Sequence, residues 1–222
     1  MILTDMCVIV VKNKGAKFPT KEEIQNCCLR NPDGFAMAWN EGGKLRVYKT
    51  MSERLFIKNY MAMVSRCSEA DTSLVLHARI ATHGSKGVKN CHCWTGSGLA
   101  FAHNGVLSNV GSRKDMTDSE TFFRDIFEPV YNACGWETAS KVINAIIGNS
   151  KFAFVNNKGD VWMFGHYEKH NGCFYSNDSW RGYQYYGGRH FPQMSGGFKV
   201  EGVAQPRYYS LEDWFRRDDK VW

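Results

Sequence analysis

The chain has 222 residues, 43% of them hydrophobic and 23% charged, with a formal net charge of +6 and a pI near 8.8. Those proportions suit one globular domain with its own core and exclude long disorder. The positive excess is spread along the chain, with Arg216-Arg217 a tight basic pair, which argues against a nucleic-acid-binding face.

The first strong element is Cys7 to Lys12, a β-branched run that predicts a buried strand. Thr20-Lys21-Glu22-Glu23 has capping-box spacing and predicts a helix to about Leu29. Asn31-Pro32-Asp33-Gly34 ends it with turn chemistry. Phe35 to Trp39 and Leu45 to Lys49 read as a hairpin across Asn40-Glu41-Gly42-Gly43. Ser52 can cap a second helix through Leu55, Phe56, Tyr60 and Met63. Leu74 to Ala78 and Leu99 to His103 are further strands. Thr117-Asp118-Ser119-Glu120 again has capping-box spacing and opens a helix with Phe122, Phe123, Ile126 and Phe127 on its apolar side. Trp136 to Ile147 predicts another helix, ended by Gly148. Phe152–Val155 and Val161–Phe164 form a hairpin, and Cys173 to Ser176 a last strand. Tyr183 to Gly197 is Gly- and Tyr-rich and reads as irregular.

Strands cluster at both ends with helices between, which favours two packed sheets flanked by helices. No linker or solenoid repeat divides the chain. The expected organisation is one domain over residues 7–222, preceded by a six-residue pro-segment or upstream extension. No run approaches the roughly 18 apolar residues of a membrane span. Residues 1–6 lack the basic region and cleavage site of a secretory signal. Eight scattered cysteines without a framework suggest reduced thiols in a cytoplasmic setting.

Three polar clusters carry the chemistry beside Cys7: Arg79-Ile80-Ala81-Thr82-His83-Gly84, Ala102-His103-Asn104-Gly105 and Thr117-Asp118-Ser119-Glu120. Their order and spacing resemble the glutaminase domain of class II glutamine amidotransferases, the branch of the N-terminal-nucleophile (Ntn) hydrolases that uses cysteine. The resemblance covers about residues 7 to 181, including Phe152 to Phe164 and Tyr175-Ser176-Asn177, and leaves the tail after about 183 unmatched. It is greatest to compact stand-alone members often encoded by bacteriophages, which would place the chain in a host cytoplasm. Two positions depart from the family: Val8 stands where Gly usually follows the nucleophile, and Asn90-Cys91-His92-Cys93 stands where Asn-x-His-Pro is usual.

The resemblance implies an α+β fold, an αββα sandwich of two stacked antiparallel sheets flanked by helices. It implies hydrolysis of the glutamine side-chain amide, with Cys7 as nucleophile and Asn104 and Gly105 as oxyanion donors. Arg79 would take the substrate carboxylate, with Thr82 and His83 on the same turn, and Asp118 the ammonium. No metal or organic cofactor is implied. An ammonia-using synthase or a host protein stands as the implied partner.

Cysteine needs activation for this role. A thiol with pKa near ~8.5 is only a few per cent thiolate at neutral pH, whereas an α-amino group with pKa about 7.7–8.0 can accept its proton through a water. An amide nitrogen cannot, so Cys7 must become the first residue, either by loss of Met6 from a start there or by removal of residues 1–6.

Each residue also fits a plainer role. Cys7 suits a buried strand, Arg79 a structural ion pair, Asn104-Gly105 a type I′ turn and Asp118 a helix cap. His77, His83, Cys91, His92, Cys93 and His103 crowd one span, but no Cys-x2-Cys or His-Glu-x2-His spacing organises them for zinc. Two rival functions stand beside the glutaminase: a catalytically silent Ntn-fold protein that binds a partner such as a host enzyme, and an amidohydrolase acting on another γ-glutamyl or amide substrate.

Overall fold

The computed structural model describes residues 7–81, 86–111 and 116–182. In chain order the elements are β1 (Val8–Lys12), α1 (Lys21–Arg30), β2 (Phe35–Glu41), β3 (Lys44–Thr50), α2 (Glu53–Arg66) and β4 (Leu74–Ala78). A single 3₁₀ turn at Val88–Asn90 leads to β5 (Trp94–Gly96) and β6 (Leu99–Asn104). A helical run follows, composed of α3 (Asp118–Thr121), a π-helical stretch (Phe122–Phe127) and α4 (Glu128–Ile146). The chain returns through β7 (Lys151–Asn156), β8 (Val161–Phe164), β9 (Glu168–His170) and β10 (Cys173–Tyr175).

The strands form two antiparallel sheets, ordered β3-β2-β4-β1-β10-β9 and β5-β6-β7-β8. Side chains alternate faces along a strand, and that alternation builds three apolar layers. Phe35, Met37 and Trp39 of β2 pack with Ile24 and Cys28 of α1 and with Phe56, Tyr60 and Met63 of α2. Phe101, Phe152 and Phe154 of the second sheet pack with Phe122, Phe123, Phe127 and Ile143 of the helical run. Between the sheets lie the opposite faces: Ile9, Val11, Ala36, Ala38 and Val75 against Ala100, Ala102, Ala153 and Val155. The architecture is the αββα sandwich that the resemblance implies.

Helix starts are chemically specified. Thr20 Oγ1 accepts from the Glu23 N–H and Glu23 Oε2 accepts from the Thr20 N–H, a complete capping box. Ser52 caps α2 through the Leu55 N–H. At Thr117 only half the expected box forms. Its hydroxyl accepts from the Glu120 N–H, while Glu120 Oε2 finds no partner among the described residues.

The helix expected over Trp136 to Ile147 is present as the second part of α4, separated from residues 128–134 by a break at Gly135, whose φ of 75° and ψ of −177° are not helical. Strands β5 and β9 have no counterpart in the elements expected from sequence. Both sit in tight hairpins, turned by Ser97-Gly98 (φ 52° and 77°) and by Asn171-Gly172 (φ 49° and 83°), the positive-φ pairs that type I′ turns require. The expectations for residues 1–6, Thr82, His83 and the tail from 183 lie outside the described residues.

Candidate active site

Cys7 immediately precedes β1 and continues its alternation, on the same face as Ile9 and Val11, toward the second sheet. Asn104 ends β6 on the face of Ala100 and Ala102, toward the first sheet. The two therefore approach the inter-sheet layer from opposite sides. The Cys7 thiol sits against Ile80, donating to its carbonyl oxygen at 3.4 Å and accepting from its amide at 3.3 Å. Asn177 Nδ2 donates to the Cys7 carbonyl at 3.0 Å. Burial pushes the thiol above the usual cysteine range; the Ile80 N–H and the Arg79 charge oppose that rise, and Asp118 adds to it. The nucleophile candidate is thus a neutral thiol that needs a base.

Arg79 follows β4, which pairs with both β1 and β2. It is 3% exposed. Its backbone is clamped to the Pro32-Asp33-Gly34 turn, with Arg79 N–H donating to Gly34 O at 2.9 Å and Asp33 N–H to Arg79 O at 2.8 Å. The Asp33 carboxylate accepts from the Ala81 N–H at 3.0 Å and pairs with Lys86. Lys86 first, and then the Ala81 N–H, hold the Asp33 carboxyl below the usual carboxylate range. The turn cannot be built with a side chain at Gly34, where φ is +133° and a Cβ would lie 2.6 Å from Cys91 Sγ. So this turn fixes the strand end that carries both Arg79 and the thiol-contacting Ile80.

Asn104 is fully buried, with Nδ2 2.8 Å from Ser176 Oγ. Ser176 Oγ also accepts from the Ile9 N–H at 2.8 Å, and the Ser176 N–H donates to Ile9 O at 2.9 Å. One serine thus links the strand following Cys7 to the Asn104 carboxamide. Asn104-Gly105 is not a hairpin turn, because β6 pairs with β7 only after the whole helical run. Gly105 adopts φ +142°, and a Cβ there would collide with Ser150 Oγ and lie 2.9 Å from Ser150 Cα. Only glycine fits this approach.

Asp118 is the first residue of α3, and the capping role falls to its neighbour Thr117. Its Oδ2 accepts from the Leu107 N–H at 2.8 Å, tying α3 to the segment after Gly105. Its Oδ1 accepts from the Ser119 N–H at 2.8 Å and lies 3.2 Å from Ser119 Oγ. A carboxylate offers about four lone-pair sites, so capacity remains for a further donor. Ser119 Oγ in turn lies 2.7 Å from His103 Nδ1.

Three of the crowded histidines form a buried stack rather than a metal site. His77 lies on His92 with centroids 3.9 Å apart, and His92 Nδ1 accepts from the His103 N–H at 3.2 Å. Burial holds all three neutral: His77 is pushed down to about 3, His103 to about 4, and His92 well below the ordinary value. Cys91 and Cys93 are buried elsewhere, near Met51 Sδ and Val75 O. Among the described residues no group of three His, Cys, Asp or Glu is arranged to hold a metal ion.

Cys7, Arg79, Asn104, Gly105 and Asp118 are thus tied to one another through short links, while Thr82 and His83 lie outside the described residues. Sequence reasoning does not single out Ser176, Asp33 or Asn177 as site residues, although Ser176 and Asn177 fall within the matched Tyr175-Ser176-Asn177. Their signal is weak: single polar residues after a strand or in a turn.

The sequence profile of class-II glutamine amidotransferases matches residues 5–170. No curated protein matches the chain. Among solved structures it is similar to a glutamine aminotransferase class-II domain protein from Silicibacter pomeroyi, at 15% identity and a TM-score of 0.47, over 76% of this chain and 87% of that one. It is also similar to glutamine phosphoribosylpyrophosphate amidotransferase from B. subtilis, at 17% identity and a TM-score of 0.49, over 76% of this chain and 41% of that one. A third likeness is to the allosteric regulatory enzyme of purine biosynthesis, at 17% identity and a TM-score of 0.45, over 68% and 35%. The profile match spans more than half of the sequence, and the chain belongs to the class-II glutamine amidotransferases.

Proposed function

We propose that this chain hydrolyses the side-chain amide of glutamine once Cys7 is its first residue. The observation that carries the proposal is the placement of Cys7 and Asn104 on facing sheets, joined through Ile9 and Ser176. The Arg79 and Asp118 charges both act on the same thiol.

In this scheme Arg79 pairs with the substrate carboxylate and Asp118 with its ammonium, which leaves the carboxamide carbon in front of Cys7 Sγ. The Cys7 α-amine takes the thiol proton as sulfur bonds to that carbon. The carbonyl oxygen becomes an oxyanion held by the Asn104 carboxamide and the Gly105 N–H. Losing one donor of this kind typically costs about 10²–10³ in turnover. Collapse breaks the carbon–nitrogen bond, and the α-ammonium returns the proton to the leaving nitrogen, which departs as ammonia. Water then attacks the γ-glutamyl thioester, with the amine again accepting a proton, and glutamate and the thiol are released.

His77, His92 and His103 cannot replace the amine. They are buried, and His103 is already engaged with Ser119. The released ammonia goes either to solvent or to a partner synthase; no helix of the described residues is long and apolar enough to cross a membrane. The deciding experiment compares ammonia release from protein beginning at Cys7 with protein retaining residues 1–6. Turnover in the first and none in the second is expected. A trimmed protein that neither hydrolyses glutamine nor is labelled by 6-diazo-5-oxo-norleucine would instead favour the silent partner-binder.

A further inference from the structure

Asn104 and Ser176 are both buried, and their hydrogen-bond accounts do not close as a simple pair. Ser176 Oγ accepts the Ile9 N–H and faces Asn104 Nδ2. In that arrangement the serine hydroxyl proton has no acceptor among the described residues, and Asn104 Oδ1 has no donor. A hydroxyl carries one donor and two acceptor sites, and a carboxamide carries one oxygen acceptor and two N–H donors. An orphaned buried group of either kind is costly, on the order of 1–3 kcal/mol.

The carboxamide oxygen and nitrogen are nearly isosteric, so the surrounding network decides which way they point. Turning the Asn104 amide over places Oδ1 at 2.8 Å from Ser176 Oγ, the separation now held by Nδ2. Ser176 then accepts from Ile9 and donates to Asn104, which uses its proton and satisfies the buried oxygen with one bond. Only the Nδ2 hydrogens are left open. A site that must stabilise negative charge needs donors and no competing oxygen.

We propose that Ser176 is a positioning residue that orients the Asn104 carboxamide, its hydroxyl donating to Oδ1 so that the Nδ2 hydrogens are left for the reacting oxygen. The kinetic consequence rests on the glutaminase proposal; the hydrogen-bond orientation does not. Ser176 acts through Asn104, whose carboxamide lies 2.8 Å from the serine hydroxyl oxygen. Its backbone bond to Ile9 anchors it to the strand that follows Cys7, which fixes where the hydroxyl sits.

Two measurements test the proposal separately. Neutron diffraction on deuterated full-length crystals distinguishes nitrogen from oxygen and locates the hydroxyl deuteron. Oδ1 facing Ser176 Oγ with the deuteron between them is expected; Nδ2 in that place overturns the proposal whether or not the protein hydrolyses glutamine. In the chain beginning at Cys7, Ser176→Ala should lower kcat about 10²-fold, within the range for losing an oxyanion donor, with KM changed less than about threefold. Iodoacetamide alkylation of Cys7 should proceed as in the parent, which a general disruption of the site would not allow. Ser176→Thr should restore most of the turnover, and Asn104→Ala combined with Ser176→Ala should be no slower than Asn104→Ala alone. Additive losses in that cycle would show that Ser176 acts independently of Asn104 and would overturn the positioning role. An inactive trimmed parent would refute the glutaminase proposal and leave the diffraction result to decide the orientation.

Discussion

The Cys7 thiol is held between the two backbone groups of Ile80, 3.4 Å from its carbonyl oxygen and 3.3 Å from its amide nitrogen. The carbonyl favours the protonated thiol and the amide favours the thiolate, so the local peptide alone cannot activate the sulfur. Burial then tips the balance toward the neutral form.

The first prediction follows from that balance. With residues 1–6 retained, alkylation of Cys7 by iodoacetamide at pH 7 should be slower than that of free cysteine and should rise steeply only above the ordinary thiol range. When Cys7 is first, the rate should begin to rise near the α-amine pKa of about 7.7–8.0. Peptide mapping by mass spectrometry separates Cys7 from the other thiols. Identical pH profiles in the two forms would remove the amine from the mechanism.

A second prediction concerns how the substrate is held. Arg79→Lys replaces a planar fork with a point charge, and Asp118→Asn removes a charge while keeping an acceptor for the Leu107 N–H. Each should raise the glutamine KM roughly 10- to 150-fold, the equivalent of about 1.5–3 kcal/mol for a charge-assisted hydrogen bond. Calorimetric binding to trimmed Cys7→Ala protein isolates affinity from chemistry. Unchanged binding in both variants would show that the amino-acid ends are held elsewhere.

Much of this site is legible before folding, because strand alternation is strict. Once Cys7 is placed on the face of Ile9, and Asn104 on that of Ala102, two stacked sheets bring them together. Local dipeptides are less faithful guides. Asn104-Gly105 and Asn171-Gly172 are the same pair, yet the first leaves a strand whose partner comes a helical run later, and the second makes the tight turn between β9 and β10. Sequence around each pair does not reveal how far away the next strand lies. Ser176 is illegible as a site residue for a related reason: its hydroxyl matters only through Ile9 and Asn104, distant in sequence and joined by sheet topology. The break at Gly135 is legible, by contrast: a residue at φ 75° and ψ −177° separates the helix expected from Trp136 from the helical run before it.

The third prediction is acid lability. His77, His92 and His103 are buried, and their folded-state pKa values lie below the unfolded value of about 6.5. Between those values the unfolded chain binds more protons, so stability rises with pH across the interval. The contribution is fully present above about pH 6.5 and declines as pH falls toward about 4. Each histidine accounts for up to about 1.4 kcal/mol per pH unit. Urea midpoints should therefore fall sharply between pH 7 and pH 5. Replacing one member, for example His77→Leu, should flatten the slope by about one proton even if it lowers stability at pH 7. A slope that does not change in the variant would mean that His77 binds the same number of protons in the folded and unfolded states.

The last prediction tests Gly105 on geometry alone. Its φ of +142° is open to glycine and strained for other residues, and a Cβ would collide with Ser150 Oγ and lie 2.7 Å from Ser150 Cβ and 2.9 Å from Ser150 Cα. Gly105→Ala must therefore move backbone, either its own or that of Ser150, at a cost of about 1–3 kcal/mol in conformational strain. Shortening the neighbour cannot relieve it, because Ser150→Ala removes only the hydroxyl and leaves the two carbon atoms that crowd the new methyl. Moving the Gly105 N–H also shifts a donor proposed to face the oxyanion. Turnover should consequently fall about 10²–10³-fold, with the fold retained by circular dichroism and no rescue in Gly105→Ala combined with Ser150→Ala. Full activity in Gly105→Ala would mean that this amide plays no part in holding the reacting oxygen, and Asn104 would be left as the sole proposed donor.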